Sequence, residues 1–265
     1  MDLHLEGKSV VITGGGTGIG REAAREFARE GAVVSICGRT LSKLQNMQEE
    51  ARGEGLAVHV YQADVADFKS VETMAARIAS DRGGIDVWLN NAGVSVNKPI
   101  MDFTREDWNL VIETNLAGVF EGTRIAARHM IKQGRGGVII NTSSYNSKIP
   151  HSNGGIYAAS KAGVSNLTKT FAANLAPYGI RVISIIPGMI ETEISREIIS
   201  KNRDLYIQNI ALQRLGRPGD LAKPMVFLAS EGAGYITGVD IEIHGGKYDV
   251  QDSPAPWGWK KNAGN

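Results

Sequence analysis

Along the chain, short apolar runs rich in β-branched residues alternate with longer stretches whose apolar positions recur every three or four residues. The first pattern marks strands, the second amphipathic helices. Strands are predicted at Ser9–Thr13, Ala32–Cys37, Val58–Tyr61, Asp86–Leu89, Val138–Asn141, Arg181–Ile186 and Val239–Ile243. Helices are predicted over Ile19–Glu30, Leu41–Arg52, Ser70–Ala79, Arg105–Lys132 and Ala158–Leu175, with breaks set by glycine and proline. Strand–helix–strand units in series demand right-handed crossovers, and so a parallel sheet covered on both faces. The expectation is a single doubly wound α/β domain over residues 1–248, with a seven-stranded, mostly parallel sheet. Two segments fall outside the alternation. Residues 189–212 mix Ile190, Ile194, Ile198, Ile199, Leu205, Tyr206 and Ile210 with charges, a pattern that suits an amphipathic lid and equally a helix merely packed on the sheet. Residues 249–265 form a tail carrying Pro254, Pro256, Trp257 and Trp259, which suits either a cover for an active site or a frayed terminus.

Composition narrows the function. Hydrophobic residues make up 42% of the 265, enough for a large core. The 29 basic and 28 acidic residues leave a net charge of +1, which gives no basis for binding nucleic acid or an acidic membrane. The one cysteine, Cys37, rules out a disulfide framework within the chain and a cysteine metal site. The five histidines are scattered without ligand spacing, so no metal site is expected. Residues 1–8 lack the apolar core of an export signal. No stretch approaches the roughly 18 apolar residues of a membrane helix. A cytoplasmic location is expected.

The first strand breaks into Thr13-Gly14-Gly15-Gly16-Thr17-Gly18-Ile19-Gly20 and a helix follows at once. Glycines there permit a tight turn and let a diphosphate reach the backbone, while the helix start offers unpaired N–H groups to the anion. A second signal is Tyr157-Ala158-Ala159-Ser160-Lys161, which puts a phenol and an ammonium four residues apart on one helix face. A free phenol titrates near 10 and is a poor base at neutral pH, so a neighbouring ammonium is expected to favour phenolate. Thirteen residues earlier, Ser144 follows the fifth strand, where strand ends border the ligand crevice of a parallel sheet. Its hydroxyl is placed to bond a substrate oxygen.

The spacing Gly14-x-x-x-Gly18-x-Gly20 behind Thr13 resembles the glycine motif of the short-chain dehydrogenase/reductase family, and the resemblance runs from Lys8 to about Tyr248. Asn141-Thr142-Ser143-Ser144 resembles the family's N-x-S-S element, with Ser144 its catalytic serine, and Tyr157 and Lys161 match its tyrosine and lysine. Asn115, in Thr114-Asn115-Leu116-Ala117-Gly118, matches its asparagine, which helps hold the lysine. Asn90-Asn91-Ala92-Gly93 looks like the element beside the cofactor, and Asp64-Val65 like the adenine contact. Pro187-Gly188 through Ile190 to Thr192 looks like the element at the nicotinamide carboxamide. The resemblance implies a Rossmann-type fold and an NAD(P)(H)-dependent oxidoreductase acting on a ketone or secondary alcohol. It also implies cofactor contacts at Gly14, Thr17, Gly18, Ile19, Gly20, Asp64, Val65, Asn91, Ala92 and Gly93, and a homotetramer built through the Arg105–Lys132 and Ala158–Leu175 helices.

After the second strand, Gly38 stands where NAD-binding relatives carry an acid, and Arg39 follows with a fork that matches a 2′-phosphate. NADP(H) is therefore favoured over NAD(H), although Thr17 occupies a position where many NADP-binding relatives place Lys or Arg. Tyr145, His151, Asn153 and Met189 are the candidate substrate residues. The region from Pro187 to Gly246 is similar to 3-oxoacyl-acyl-carrier-protein reductases and to gluconate and other sugar dehydrogenases. A small ketone or alcohol, including a sugar or polyol, and a 3-oxoacyl thioester both remain open as substrates. A nucleotide-sensing scaffold on the same fold is the non-enzymatic alternative, and it has no need of Asn115, Ser144, Tyr157 and Lys161 together.

Overall fold

A computed structural model describes residues 3–247, 249 and 253–257. Seven strands form one sheet in the order β3-β2-β1-β4-β5-β6-β7. They are β1 (Ser9–Thr13), β2 (Val33–Gly38), β3 (Val58–Gln62), β4 (Val87–Asn90), β5 (Gly137–Thr142), β6 (Ile180–Pro187) and β7 (Asp240–Ile243). Every adjacent pair is parallel. The helices are α1 (Gly18–Arg29), α2 (Leu41–Gly53), α3 (Phe68–Arg82), α4 (Arg105–Ile112), α5 (Gly118–Gln133), α6 (Gly155–Leu175), α7 (Arg196–Gln208) and α8 (Pro218–Ala229). The sheet is apolar on both sides because both are covered. One core packs α1, α2 and α8 against Val10, Ile12, Val34, Ile36 and Ile140. The other packs α3, α5 and α6 against Val11, Trp88, Ile139 and Val182. This is the single doubly wound Rossmann-type domain.

Strand order reverses between β1 and β4, so the crossovers from those strands leave to opposite sides and open a crevice at their carboxyl ends. Two local features shape it. The predicted helix 105–132 contains a π-helical turn at Glu113–Ala117 between α4 and α5. The extra residue in that turn lets a side chain leave the regular ladder, and Asn115 sits there. The helix expected from Ala158 begins three residues earlier, so Tyr157 lies inside α6 rather than before it. The strap 189–212 carries α7, broken at Asn202 by non-helical backbone (φ −148°, ψ 41°). Ile199, Ile210 and Leu215 bury together beneath it, separate from the two main cores, with Met189, Tyr206 and Ile207 packed against them.

Candidate active site

The turn after β1 is held by hydrogen bonds that tie two strand ends together. The Thr13 hydroxyl donates to the Leu89 carbonyl (3.2 Å) and accepts the N–H groups of Asn91 (3.0 Å) and Ala92 (3.1 Å). Asn91 Nδ2 returns a bond to the Thr13 carbonyl (3.1 Å). Gly14 lies in the left-handed region (φ 67°), where a Cβ would stand 2.9 Å from Ala92 Cα. Gly20 faces this knot from α1: a Cβ there would be 2.4 Å from Asn91 Nδ2 and 2.5 Å from the Gly14 carbonyl oxygen. Thr17 occupies the N-cap of α1 without a side-chain capping bond, and the first turn carries no acid. The helix start thus keeps its N–H groups and partial positive charge for an external anion, and the residues present fit a dinucleotide's diphosphate.

The opposite wall is made of side chains. Asn115 is fully buried and clasps the Val94 backbone, accepting its N–H at Oδ1 (2.8 Å) and donating to its carbonyl from Nδ2 (2.9 Å). Nδ2 also reaches Ser160 Oγ (3.3 Å). The Lys161 ammonium, 3% exposed, donates to the Thr142 carbonyl at the end of β5 (2.7 Å). It lies 5.7 Å from the centre of the Tyr157 ring. Tyr157 and Lys161 therefore share a helix face. Burial pushes the Lys161 ammonium down to about 8. Burial acts against the ammonium at Tyr157. Burial pushes its phenol above the ordinary value, and a hydrogen bond with the Ser144 side chain only partly opposes this. The cost of a buried phenolate outweighs an ammonium engaged elsewhere. The two serines after β5 separate cleanly. Ser143 Oγ donates to the Lys161 carbonyl or pairs with Ser165 Oγ, both at 2.9 Å, and is structural. Ser144 turns toward the phenol and accepts the Asn146 N–H (3.2 Å).

Between these walls runs a cleft with about 1350 Å³ of empty space, open to solvent. Gly14, Thr17, Gly18 and Ile19 line one end, and Asn91, Ala92 and Gly93 its floor. Ser144, Tyr157 and Lys161 stand at the middle, beside Pro187, Gly188, Ile190 and Thr192. Tyr145, His151 and Met189 line the far end. Asn115 lies one layer behind. Other predicted residues are not brought to the lining. Asn153 is exposed, its N–H donated to His151 Nδ1 (3.3 Å). Arg39 is exposed after β2. Asp64 uses Oδ1 to accept the Ala66 N–H (3.0 Å), and Val65 packs near Gly118. In the tail, Trp257 donates from Nε1 to the Ala211 carbonyl (2.9 Å) at the base of the strap, while Trp259 lies outside the described residues. The residue spacing predicts no metal site. The fold nonetheless gathers ligand atoms of Glu242, His244 and Asp249 within 4.8 Å. The Lys148 ammonium already sits against Glu242 and supplies that carboxylate's countercharge.

Sequence reasoning overlooked Thr13 as the knot of the turn, and the Val94 backbone and Thr142 carbonyl as anchors of Asn115 and Lys161. The backbone anchors leave no trace in side-chain identity. Lys247 was also missed. It is 2% exposed, burial pushes it down to about 8, and its Nζ lies over the Tyr145 and Tyr206 rings at 5.1 and 5.3 Å.

Comparison with known proteins fits this geometry. The profile of the short chain dehydrogenase family matches residues 8–203. The chain belongs to the short-chain dehydrogenase family. It is an NAD(P)-dependent oxidoreductase of that family. A 3-oxoacyl-[acyl-carrier-protein] reductase of Thermotoga maritima is 38% identical over 244 residues, covering 92% of this chain and 99% of the relative. An L-rhamnose 1-dehydrogenase (NAD(P)(+)) of Azotobacter vinelandii is 40% identical over 254 residues, covering 93% of this chain and 98% of the relative. The crystal structure of a short-chain type dehydrogenase/reductase from Mycobacterium marinum superposes with a TM-score of 0.90 at 37% identity. It covers 94% of this chain and 99% of that one. No helix among the described residues is long and apolar enough to cross a membrane.

Proposed function

We propose that this enzyme moves hydride between NADP(H) and a small ketone or secondary alcohol, a sugar or polyol fitting best, with Tyr157 trading the proton. The observation that carries this reading is one cleft joining the uncapped glycine turn to the Ser144–Tyr157–Lys161 group. When bound, the nicotinamide supplies or accepts the hydride. Tyr157 then gives its phenolic proton to a carbonyl oxygen, or takes the proton of an alcohol. Ser144 fixes that oxygen by hydrogen bonding, and Lys161 keeps a positive charge under the phenol. Asn115 maintains the wall by clasping Val94. Its phenol, raised by burial, is the acid for carbonyl reduction, and its phenolate would be the base for alcohol oxidation.

Gly38 presents no carboxylate to repel a 2′-phosphate, and the exposed Arg39 guanidinium is available to one; both support NADP(H). Asn97, Asn146 and His151 beside Tyr145 make the substrate end polar, which suits hydroxyl-bearing substrates. A second reading, a 3-oxoacyl thioester, is favoured by Ile194 and Ile198 of the strap on the same lining, and by the reductase relative. The tetramer reading is supported by Trp108, Leu110 and Phe120, apolar side chains exposed on α4 and α5. The single, buried cysteine accords with a cytoplasmic location.

Assays of keto sugars, simple ketones and acetoacetyl-CoA, each with NADPH and NADH, test the proposal. Turnover of the keto sugars or simple ketones with NADPH is expected. Turnover of acetoacetyl-CoA alone would replace the first reading with the second.

A further inference from the structure

The far end of the substrate cleft has a support that the reaction itself does not explain. After β7 the chain turns through Gly245 and Gly246, both left-handed (φ 66° and 75°). A Cβ on Gly245 would stand 3.0 Å from Ile210 Cγ2, and one on Gly246 would stand 2.7 Å from Ala211 Cβ. The turn is thus pressed against the base of the strap. Leu212 N–H donates to the Gly245 carbonyl (3.1 Å), and Ile210 and Lys247 form an antiparallel bridge. This places the buried Lys247 ammonium between two rings that line the cleft. Tyr145 follows Ser144 directly, and Tyr206 belongs to α7. A desolvated ammonium shared by two aromatic faces attracts both through their quadrupoles.

We propose that Lys247 is a positioning residue for substrate: its ammonium, held between the Tyr145 and Tyr206 rings, fastens the strap helix α7 to the Ser144 loop and so fixes the outer wall of the substrate pocket. The statement about substrate rests on the oxidoreductase reading; the fastening of α7 does not. Tyr206 belongs to the strap helix α7 and Tyr145 to the loop after β5, so one cation reaches both elements. Loss of the shared cation frees the wall without touching the glycine turn, Tyr157 or Lys161.

Hydrogen exchange of the full-length protein tests the fastening without needing turnover. Lys247→Met, which keeps the apolar stem and removes the charge, is expected to speed exchange in α7 about tenfold while β1–β4 stay unchanged. Tyr206→Leu should match Lys247→Met, and the double variant should go no further. In assays with butanone, a ketohexose and acetoacetyl-CoA, Lys247→Met should raise KM about tenfold on whichever is turned over, with kcat and NADPH affinity within about twofold. Unchanged exchange in both Lys247→Met and Tyr206→Leu would overturn the proposal. So would exchange raised equally in β1–β4, or kcat and NADPH affinity falling as far as KM rises. If no probe is turned over by the unaltered protein, the proposed substrate classes are at fault, and the exchange data still decide the fastening.

Discussion

The two walls of the cleft are built on different principles. Under β1 and α1 the wall is backbone: glycines at 14 and 20 bring main chain together, and the uncapped start of α1 offers only N–H groups. Across the cleft, under β5 and α6, the wall is side chain. Asn115 comes from a π-turn, Ser144 from a strand end and Lys161 from α6, meeting because β4 and β5 are neighbours. A backbone wall is unforgiving, since an added methyl group meets main chain that cannot move aside. A side-chain wall is chemically precise, and it can lose a functional group while keeping its shape.

Substitutions can break or sharpen that contrast. Tyr157→Phe removes one oxygen from the side-chain wall and is expected to cut turnover about 10³-fold, roughly 4 kcal/mol of transition-state stabilisation. A cofactor fluorescence titration and a thermal melt should both be near normal; a protein that fails to fold would erase the distinction. Gly20→Ala puts a Cβ within 2.5 Å of the Gly14 carbonyl oxygen and should behave in the opposite way. Stability should fall by about 1–3 kcal/mol, as for an overpacked site, and calorimetric cofactor affinity should fall with it. Asn115→Ala leaves the Val94 N–H and carbonyl without their partner, at a cost of about 1–2 kcal/mol in chemical denaturation, and lowers kcat while leaving cofactor affinity close to normal. Arg39→Ala should have the smallest effect. It should weaken NADP(H) about tenfold, ~1.4 kcal/mol, and leave NAD(H) alone; equal losses for both cofactors would remove Arg39 as the phosphate contact.

The same contrast explains what could be read from the chain alone. The seven strands were legible because strands buried on both faces read as continuous β-branched runs, and Ser9–Thr13 has the same bounds in the structure. The glycine turn was legible because each of its glycines marks a backbone need. The Tyr157–Lys161 pair was legible from the helical period, but its electrostatics were not. Sequence spacing places an ammonium near the phenol, and only the fold reveals that this ammonium donates to Thr142 and lies out of water while the phenol lines the cleft. No glycine or proline lies within Glu113–Ala117 to mark the π-turn, so 105–132 reads as one helix. Lys247 reads in sequence as an ordinary charge after a Gly-Gly turn. Its two rings come from positions 145 and 206, far upstream, and no local rule reports them.

The central claim is that one phenol, Tyr157, trades the proton that accompanies hydride transfer. Its most direct test is the pH dependence of the hydride-transfer step, measured in both directions by single-turnover kinetics on the unaltered enzyme and on Tyr157→Phe. Reduction needs the phenol protonated, so its rate should be full at neutral pH and fall as pH rises through the phenol's pKa. Oxidation needs phenolate and should rise through the same pKa, while the residual rates of Tyr157→Phe stay flat. Profiles that move together in the two directions, or that survive unchanged in Tyr157→Phe, would contradict the account.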